Sequence, residues 1–308
     1  MLYFGSLWLV KGSASLSTSL GIRPIVIGLT VVAFGTSAPE LVISLVSAVK
    51  GKSMIAVGNV IGSNICNIAL VLGMAAVLNP IKSHPTVLSR DIPLMLMISL
   101  YLLILSLNSY LGRIEGLSLV VGIILYTWYN YAIAVQEAPI PIGVSEGQPP
   151  RLEVPSRTLQ VLLIAVGIIG VVIGADFLID AAVSIMSTFG VSEKFIGLTV
   201  VAFGTSLPEL ATSVMAAFKG EMDISIGNLL GSNVFNILSV LGAAALVRPI
   251  EIPGGFIESG LLLDYLVMMF TSCLPWLMMR KDLVLSRANG LVLLSCYCGY
   301  VAYLVLTG

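Results

Sequence analysis

Two glutamates, Glu40 and Glu209, lie in nearly identical apolar surroundings. Glu40 ends the hexapeptide GTSAPE, and Glu209 ends GTSLPE. A charged side chain at the centre of a bilayer costs roughly 2.5–3.5 kcal/mol on insertion scales, so acids inside apolar runs usually have a function. Packing alone does not explain two acids at matching positions. They predict one site that is built from two halves of the chain.

The two hexapeptides belong to a long internal repeat. Residues 28–73 and 197–242 align without a gap at an offset of 169, and 28 of 46 positions are identical. Such a repeat indicates two copies of one structural unit. The same offset pairs residues 5–20 with 174–189, which end a helix that starts near Thr158. We therefore expect the first helix to be short at its N-terminus, or residues before Met1 to be missing.

A helix break is predicted just before each acid. Gly35 lowers helix stability, and Pro39 removes one backbone donor, so the helix should be interrupted between them. We expect carbonyls around 33–36 to lack helical partners and Ser37 to cap the half-helix that carries Glu40. Free carbonyls at membrane depth need a partner from the protein or a cavity, and a bound cation would supply one.

A polar stripe follows in the next apolar segment of each copy. Its members recur at steps of four and should share one face of a helix: Asn59, Ser63 and Asn67, matched by Asn228, Ser232 and Asn236. With the two carboxylates, these residues offer oxygen ligands only. Ca²⁺ takes about six to eight oxygens in flexible geometry, whereas transition metals favour nitrogen or sulfur.

The composition is that of a polytopic helical membrane protein. The 308 residues are 57% hydrophobic and 10% charged, against roughly 25% charged in soluble domains. A net charge of −1 without a basic stripe argues against nucleic acid as a partner. The four cysteines form no CxxC pair and the single histidine, His84, lies in a Pro-flanked loop, so neither an enzyme nor a cofactor is expected. The lipid bilayer is the expected partner, and no obligate protein partner is evident.

The apolar runs divide the chain into five plus five spans. The first repeat is predicted over 1–135, a Pro- and Gly-rich linker over 136–157, and the second repeat over 158–308. Because five is odd, the second repeat should enter the membrane from the opposite side, which is the inverted arrangement of many transporters. The predicted spans are 2–19, 22–49, 54–79, 87–107, 114–135, 158–188, 193–218, 223–247, 259–279 and 284–306.

The distribution of Lys and Arg predicts the orientation. Nine of the fifteen lie on the side of the central linker, five lie on the other side, and Lys11 lies within the first span. The positive-inside rule then places the linker in the cytoplasm and both termini outside.

The paired motifs resemble a known family. GTSAPE with GNVIGSNICN, and GTSLPE with GNLLGSNVFN, are similar to the two alpha-repeats of the calcium/cation antiporter superfamily, and most similar to its prokaryotic sodium/calcium exchanger branch. The resemblance covers essentially the whole chain. It implies ten helices in two inverted five-helix repeats, a prokaryotic plasma (inner) membrane, and alternating access with the first and sixth spans as moving elements. Outward Ca²⁺ transport would be driven by Na⁺ or H⁺.

The resemblance also assigns residues by position. It implies that Ca²⁺ is bound by the carboxylates of Glu40 and Glu209 and by the main-chain oxygens of Thr36 and Thr205. It implies flanking Na⁺ sites at Ser37, Ser63, Ser206 and Ser232, with the carbonyls of Ala33 and Ala202. Asn67 and Asn236 would lie beside the central site.

One position departs from the family pattern and leaves the coupling ion open. Sodium/calcium exchangers commonly carry Asp at the position of Asn236, and cation/proton exchangers have a neutral residue there but typically read GNxxE in place of GTSxPE. The hydroxyl-rich motif therefore favours Na⁺, and the missing Asp favours H⁺. Co-transport of K⁺ also remains open. A passive cation channel is the remote alternative. A pore axis normally follows the membrane normal, whereas the pseudo-two-fold axis of an inverted repeat lies in the membrane plane.

Overall fold

The computed structural model describes residues 1–136, 154–188, 202–252 and 255–307, and these are almost entirely helical. We number the described helices α1 to α13 in chain order: Leu2–Leu20, Pro24–Thr36, Ala38–Val49, Ser53–Leu78, Val87–Ser106, Arg113–Gln136, Arg157–Thr188, Ala202–Thr205, Leu207–Phe218, Met222–Val247, Gly255–Glu258, Leu261–Met279 and Arg287–Thr307. Four two-residue strands, β1 to β4, are Ile81–Lys82, Tyr110–Leu111, Ile250–Glu251 and Val284–Leu285.

The protein is a helical membrane protein, as its composition predicts. Within the described residues, seven helices are long and apolar enough to cross a bilayer, and α2 with α3 adds an eighth span if the bent pair is counted as one. The total of ten spans stays a prediction. Residues 193–201 of the seventh predicted span and residues 137–153 of the predicted linker lie outside the described residues.

The two motif-bearing helices α4 and α10 form the centre of the bundle. In each, 78% of the most apolar stretch is buried inside the protein, against 22% in α6 and 11% in α13. Gly227 permits the close approach of α2 to α10, since a Cβ there would lie 2.7 Å from the Ile25 carbonyl oxygen. The outer helices α6 and α13 therefore face lipid and shield a central pair that carries the polar residues.

Helices α1 and α7 form a second tight pair at the side of the bundle. A Cβ at Gly167 of α7 would lie 2.6 Å from the backbone nitrogen of Leu9 in α1. Only glycine allows two backbones to approach so closely.

Short strands connect the two halves of the chain at the helix ends. β1 pairs antiparallel with β4, with Ile81 opposite Leu285, and β2 pairs with β3, with Tyr110 opposite Glu251. Each pair joins a loop of the first half to a loop of the second half. The halves are thus held together outside the apolar core as well as within it.

Candidate cation-binding site

Each acid lies just after a helix break, as the sequence predicts. Ser37 and Ser206 interrupt their helices with almost the same backbone angles, φ −82°, ψ 8° and φ −87°, ψ 5°. At Ser37, the helix axis bends by 46° between α2 and α3. Pro39 cannot donate a backbone hydrogen bond across this break. Glu40 and Glu209 consequently lie in the first turn of a new helix, where the helix dipole stabilises negative charge.

The helix break before Glu40 disrupts fewer backbone hydrogen bonds than predicted. The Ser37 N–H donates to the Ala33 carbonyl at 3.0 Å, so the prediction that this carbonyl is free was wrong. The helix keeps this bond because only Pro39, two residues later, lacks a donor. Ser37 occupies the N-cap position of α3 without a side-chain bond to that helix, and the prediction that it caps α3 was also wrong. Its hydroxyl group instead donates to Glu209 in the other half of the chain.

The two carboxyl groups are fully buried and close enough to interact electrostatically. Glu209 Oε1 accepts the Ser37 hydroxyl at 3.1 Å. Within the described residues, neither oxygen of Glu40 has a hydrogen-bond partner, nor does Glu209 Oε2. Across the described ranges, no Lys, Arg or His forms an ion pair with either acid. Three of the four buried carboxylate oxygens are therefore unsatisfied, which is costly unless a cation or proton is bound there.

The first break contacts the polar stripe of the opposite half. The Thr36 hydroxyl donates to Asn228 Oδ1 at 3.1 Å and lies 3.4 Å from the hydroxyl of Ser232. Asn228 in turn donates to Ser213 Oγ at 3.0 Å. These contacts place Thr36, which the resemblance assigns to Ca²⁺, directly against α10.

In the polar stripe of the first half, Asn59 and Ser63 form hydrogen bonds with two different helices, α3 and α10. Asn59 donates to the backbone carbonyl of Glu40 at 3.3 Å and to Ser44 Oγ at 3.0 Å, both in α3. Ser63 instead accepts the amide of Asn236 from α10 at 3.0 Å. We did not predict roles for Ser44 and Ser213. The signal was present in the sequence, since each serine follows its glutamate by four residues in both copies.

Asn67 and Asn236 lie in π-helical stretches, Cys66–Leu72 of α4 and Asn236–Leu241 of α10. Such wide turns occur frequently at functional sites. Asn67 donates to Asn233 Oδ1, and Asn236 donates to Asn64 Oδ1, both at 3.1 Å. The side-chain oxygens of Asn67 and Asn236 are buried, and no described residue forms a hydrogen bond to them.

The second break is described in part. Thr205 and Ser206 are buried, and among the residues that the structure describes the Ser206 hydroxyl donates to neither acid. The Ser206 N–H donates to the Phe203 carbonyl at 3.2 Å. Ala202 begins α8, and only its backbone is described.

A narrow cleft leads to the first break. It has a volume of about 10 Å³, near the space of one water molecule, and it reaches Ser37 between Phe34 and Phe235. The two aromatic rings lie 5.8 Å apart. In this conformation the cleft is too small for a hydrated ion.

Among the described residues, six buried oxygens of the two breaks and the two polar stripes, from both halves, have no hydrogen-bond partner. They are Glu40 Oε1 and Oε2, Glu209 Oε2, Asn67 Oδ1, Asn236 Oδ1 and Ser206 Oγ. In the part of the chain that is described, no group of three or more His, Cys, Asp or Glu could hold a metal. Two carboxylates among neutral oxygens suit a hard cation such as Ca²⁺ or Na⁺.

A comparison with protein families agrees with this chemistry. Residues 1–136 and 159–306 match the family model described as sodium/calcium exchanger protein. The chain belongs to the sodium/calcium exchanger family. The match confirms the resemblance of the paired motifs to this family. A member of this family is a membrane transporter and not an enzyme.

Relatives of this exchanger-family chain align along nearly its whole length. The putative antiporter CaxA of Alkalimonas amylolytica is 36% identical over 299 residues, which are 94% of this chain and 91% of the relative. The sodium/calcium exchanger MaX1 of Methanosarcina acetivorans is 30% identical, with 97% and 94% covered. The solved structure of the sodium-calcium exchanger NCX_Mj, soaked with Na⁺ and Ca²⁺, superposes with a TM-score of 0.82 at 31% identity and covers 98% of this chain and 94% of that one.

Proposed function

We propose that this chain is a secondary active antiporter that exchanges Ca²⁺ for Na⁺ across a membrane by alternating access. The observation that carries the proposal is the fully buried pair Glu40 and Glu209, in which three of four carboxylate oxygens have no hydrogen-bond partner among the described residues. Two carboxylates neutralise one Ca²⁺. Family membership supports a cation/Ca²⁺ antiporter, and the relatives MaX1 and NCX_Mj are named as sodium/calcium exchangers.

The proposed Ca²⁺ ligands are the carboxylates of Glu40 and Glu209 and the main-chain oxygens of Thr36 and Thr205. Their position supports this role, because both threonines are buried one residue before the break that precedes each acid. A bound Ca²⁺ would offset the repulsion between the two carboxylates. It would also satisfy the oxygens that have no donor within the described chain.

The proposed Na⁺ sites flank the central site on both sides. Their ligands are the side chains of Ser37, Ser63, Ser206 and Ser232 and the carbonyls of Ala33 and Ala202, with Asn67 and Asn236 beside them. The Ala33 carbonyl accepts the Ser37 N–H at 3.0 Å, and the Thr36 hydroxyl also lies 3.4 Å from it, so a bound Na⁺ would take the place of that longer contact. Since Na⁺ and Ca²⁺ would neutralise the same two acids, binding of one disfavours the other, which is the basis of exchange.

Proton coupling is the second candidate function. Both repeats carry Asn where a third carboxylate would favour several Na⁺ ions, and Asn236 directs its amide nitrogen at Ser63, a proposed Na⁺ ligand. In that case Glu40 and Glu209 would each take a proton after Ca²⁺ leaves, and the exchange would be electroneutral. Exchange of three Na⁺ for one Ca²⁺ would move one net charge, which adds about 2.3 kcal/mol per 100 mV.

We also propose the inverted arrangement of the two repeats in a prokaryotic inner membrane, with the linker in the cytoplasm and both termini outside. The strand pairs support the inversion. β1 follows the third predicted span and β4 precedes the tenth, and an inverted five-plus-five topology puts both loops in the cytoplasm. It puts the second pair, β2 with β3, on the outside.

Uptake of ⁴⁵Ca²⁺ into proteoliposomes tests the coupling ion. Vesicles loaded with Na⁺ at symmetric pH are compared with vesicles that carry only a pH gradient. Uptake that needs internal Na⁺ and responds to membrane potential supports Na⁺ exchange. Uptake that needs only the pH gradient and ignores potential supports H⁺ exchange. Uptake without any counter-ion would contradict both and would indicate a channel.

A further inference from the structure

Two asparagines outside the predicted polar stripes bind each other across the centre of the bundle. Asn64 of α4 donates from Nδ2 to the backbone carbonyl of Asn233, and Asn233 of α10 donates from Nδ2 to the backbone carbonyl of Asn64, both at 3.3 Å. A backbone carbonyl only accepts hydrogen bonds, so each side chain must present its nitrogen to it. The reciprocal contacts therefore fix the orientation of both amide groups.

The thioether groups of two methionines favour the same orientation of the Asn64 and Asn233 amides. The Sδ atom of Met268 lies 3.8 Å from Asn64 Nδ2, and that of Met95 lies 3.7 Å from Asn233 Nδ2. Sulfur is a weak acceptor, so it also favours the nitrogen end of each amide. Both asparagines are buried, at 1% exposure, and water does not compete for these contacts.

The fixed amides in turn orient the two asparagines of the site. With its nitrogen committed, Asn64 can present only Oδ1 to Asn236, which donates to it at 3.1 Å. Asn233 presents Oδ1 to Asn67 in the same way, also at 3.1 Å. A flipped Asn67 or Asn236 would place oxygen against oxygen and lose this bond.

The consequence is visible at the opposite end of each site amide. Asn67 gives its nitrogen to this pair, and Asn236 gives its nitrogen to this pair and to Ser63 Oγ at 3.0 Å, so their Oδ1 atoms remain as buried acceptors without a partner in the described part of the chain. A cation attracts such an oxygen and repels an amide NH₂ group.

We propose that Asn64 and Asn233 are positioning residues, which lock the amides of Asn236 and Asn67 so that each presents its oxygen to the transported cation. This rests on the proposed function of the central site. Each positioning residue lies on the helix opposite to the amide that it orients, so α4 and α10 must be in register for the full oxygen set to form. Cation affinity is thereby tied to the contact between the two repeats.

A double-mutant cycle separates positioning from general packing. Asn64→Ala should raise the Ca²⁺ concentration for half-maximal exchange about fivefold, the effect of one lost hydrogen bond of ordinary strength. In the Asn236→Ala background, the same substitution should change it less than twofold, because no amide is left to orient. The mirror cycle pairs Asn233→Ala with Asn67→Ala. Additive effects in both cycles would overturn the proposal.

Asn130→Ala is the matched control. Asn130 is a buried asparagine of α6 whose amide donates to the Tyr126 carbonyl away from the acids, and its loss should leave the Ca²⁺ dependence unchanged. If Asn64→Ala does not fold, Asn64→Ser takes its place in the same cycle, since it retains a polar group of smaller volume. An equal loss of Ca²⁺ affinity in Asn130→Ala would also contradict positioning.

A binding measurement distinguishes failure of this proposal from failure of the proposed function. The purified full chain is unfolded thermally in detergent with and without Ca²⁺, and the shift in unfolding temperature reports binding without flux. A wild-type chain with neither a shift nor exchange would refute the proposed function. A wild-type shift that Asn64→Ala and Asn233→Ala leave intact would refute positioning alone.

Discussion

Ser37 Oγ donates to Glu209 Oε1 at 3.1 Å, and the corresponding bond from Ser206 to Glu40 is not formed. Within the described residues, the Ser206 hydroxyl and both Glu40 oxygens have no partner. Two nearly identical hexapeptides thus place two acids in different environments. Glu209 is held by the opposite repeat, and Glu40 has its whole carboxylate available to a cation.

This asymmetry predicts unequal effects for two matched serine substitutions. Ser37→Ala removes the donor of a buried carboxylate, a loss of about 1.5–3 kcal/mol, whereas Ser206→Ala removes a hydroxyl group that, within the described residues, donates to neither acid. In ion-free detergent, thermal unfolding should show a clearly lower midpoint for Ser37→Ala than for Ser206→Ala. Saturating Ca²⁺ should narrow the difference, because a bound cation also stabilises Glu209. Equal midpoints without ions would contradict this asymmetry.

Substitution of either acid should abolish exchange. Glu40→Gln and Glu209→Gln each remove one of two charges that neutralise the ion, so we expect ⁴⁵Ca²⁺ uptake to fall at least about 100-fold. Glu115→Gln is the control, since Glu115 accepts the backbone N–H of Gly112 at the start of α6 and, in the described structure, forms no hydrogen bond with a site residue. Normal exchange in either site variant would remove the basis of the proposed function.

Much of the site could be predicted because its sequence motifs occur in both copies of the internal repeat. An acid in an apolar run, a Gly–Pro break and polar residues at steps of four are each ambiguous alone. Their recurrence at one offset led to Glu40, Glu209 and the helix breaks. The breaks lie where they were predicted, because glycine and proline weaken a helix in any surroundings.

The remaining features depend on contacts between the two halves. Asn64 and Asn233 lie one residue beyond a stripe position and so point to the opposite central helix, which a pattern of single-helix faces does not show. The unequal bonding of Ser37 and Ser206 is likewise invisible in two nearly identical motifs. For Asn64 and Asn233, the one signal available in the sequence was that Asn recurs at this position in both copies.

Asn236→Asp should strengthen the binding of Na⁺. A third carboxylate adds one negative charge to a buried site, and we expect the Na⁺ concentration for half-maximal exchange to fall several-fold. The ion-free protein should unfold at a lower temperature, because Asn64 Oδ1 would then face a carboxylate in place of an N–H donor. Asn289→Asp adds the same charge at the start of α13 and controls for net charge. Identical Na⁺ dependence in the two variants would contradict this prediction.

The inverted topology predicts which loops can be labelled from the same side. In a chain whose native cysteines are replaced, Lys82→Cys and Asp282→Cys should react with a membrane-impermeant maleimide from the cytoplasm only. Lys50→Cys and Glu251→Cys should react from the outside only, and all four positions are exposed. Labelling of Lys82→Cys and Glu251→Cys from one side would exclude the inversion.

Gly167→Ala should impair the contact between α1 and α7. The new Cβ would lie 2.6 Å from the backbone nitrogen of Leu9, which cannot rotate away, so the helices must separate. Gly299→Ala in α13 is the control, because no atom of the described residues lies within 4 Å of its Cβ and alanine favours a helix. We expect Gly167→Ala to lower both the unfolding temperature and the rate of ⁴⁵Ca²⁺ exchange, and an effect no larger than that of Gly299→Ala would contradict the close fit. If Gly167→Ala slows exchange but retains the Ca²⁺-induced rise in unfolding temperature, the contact acts in the movement of α1 and α7, because the acids would still bind the ion.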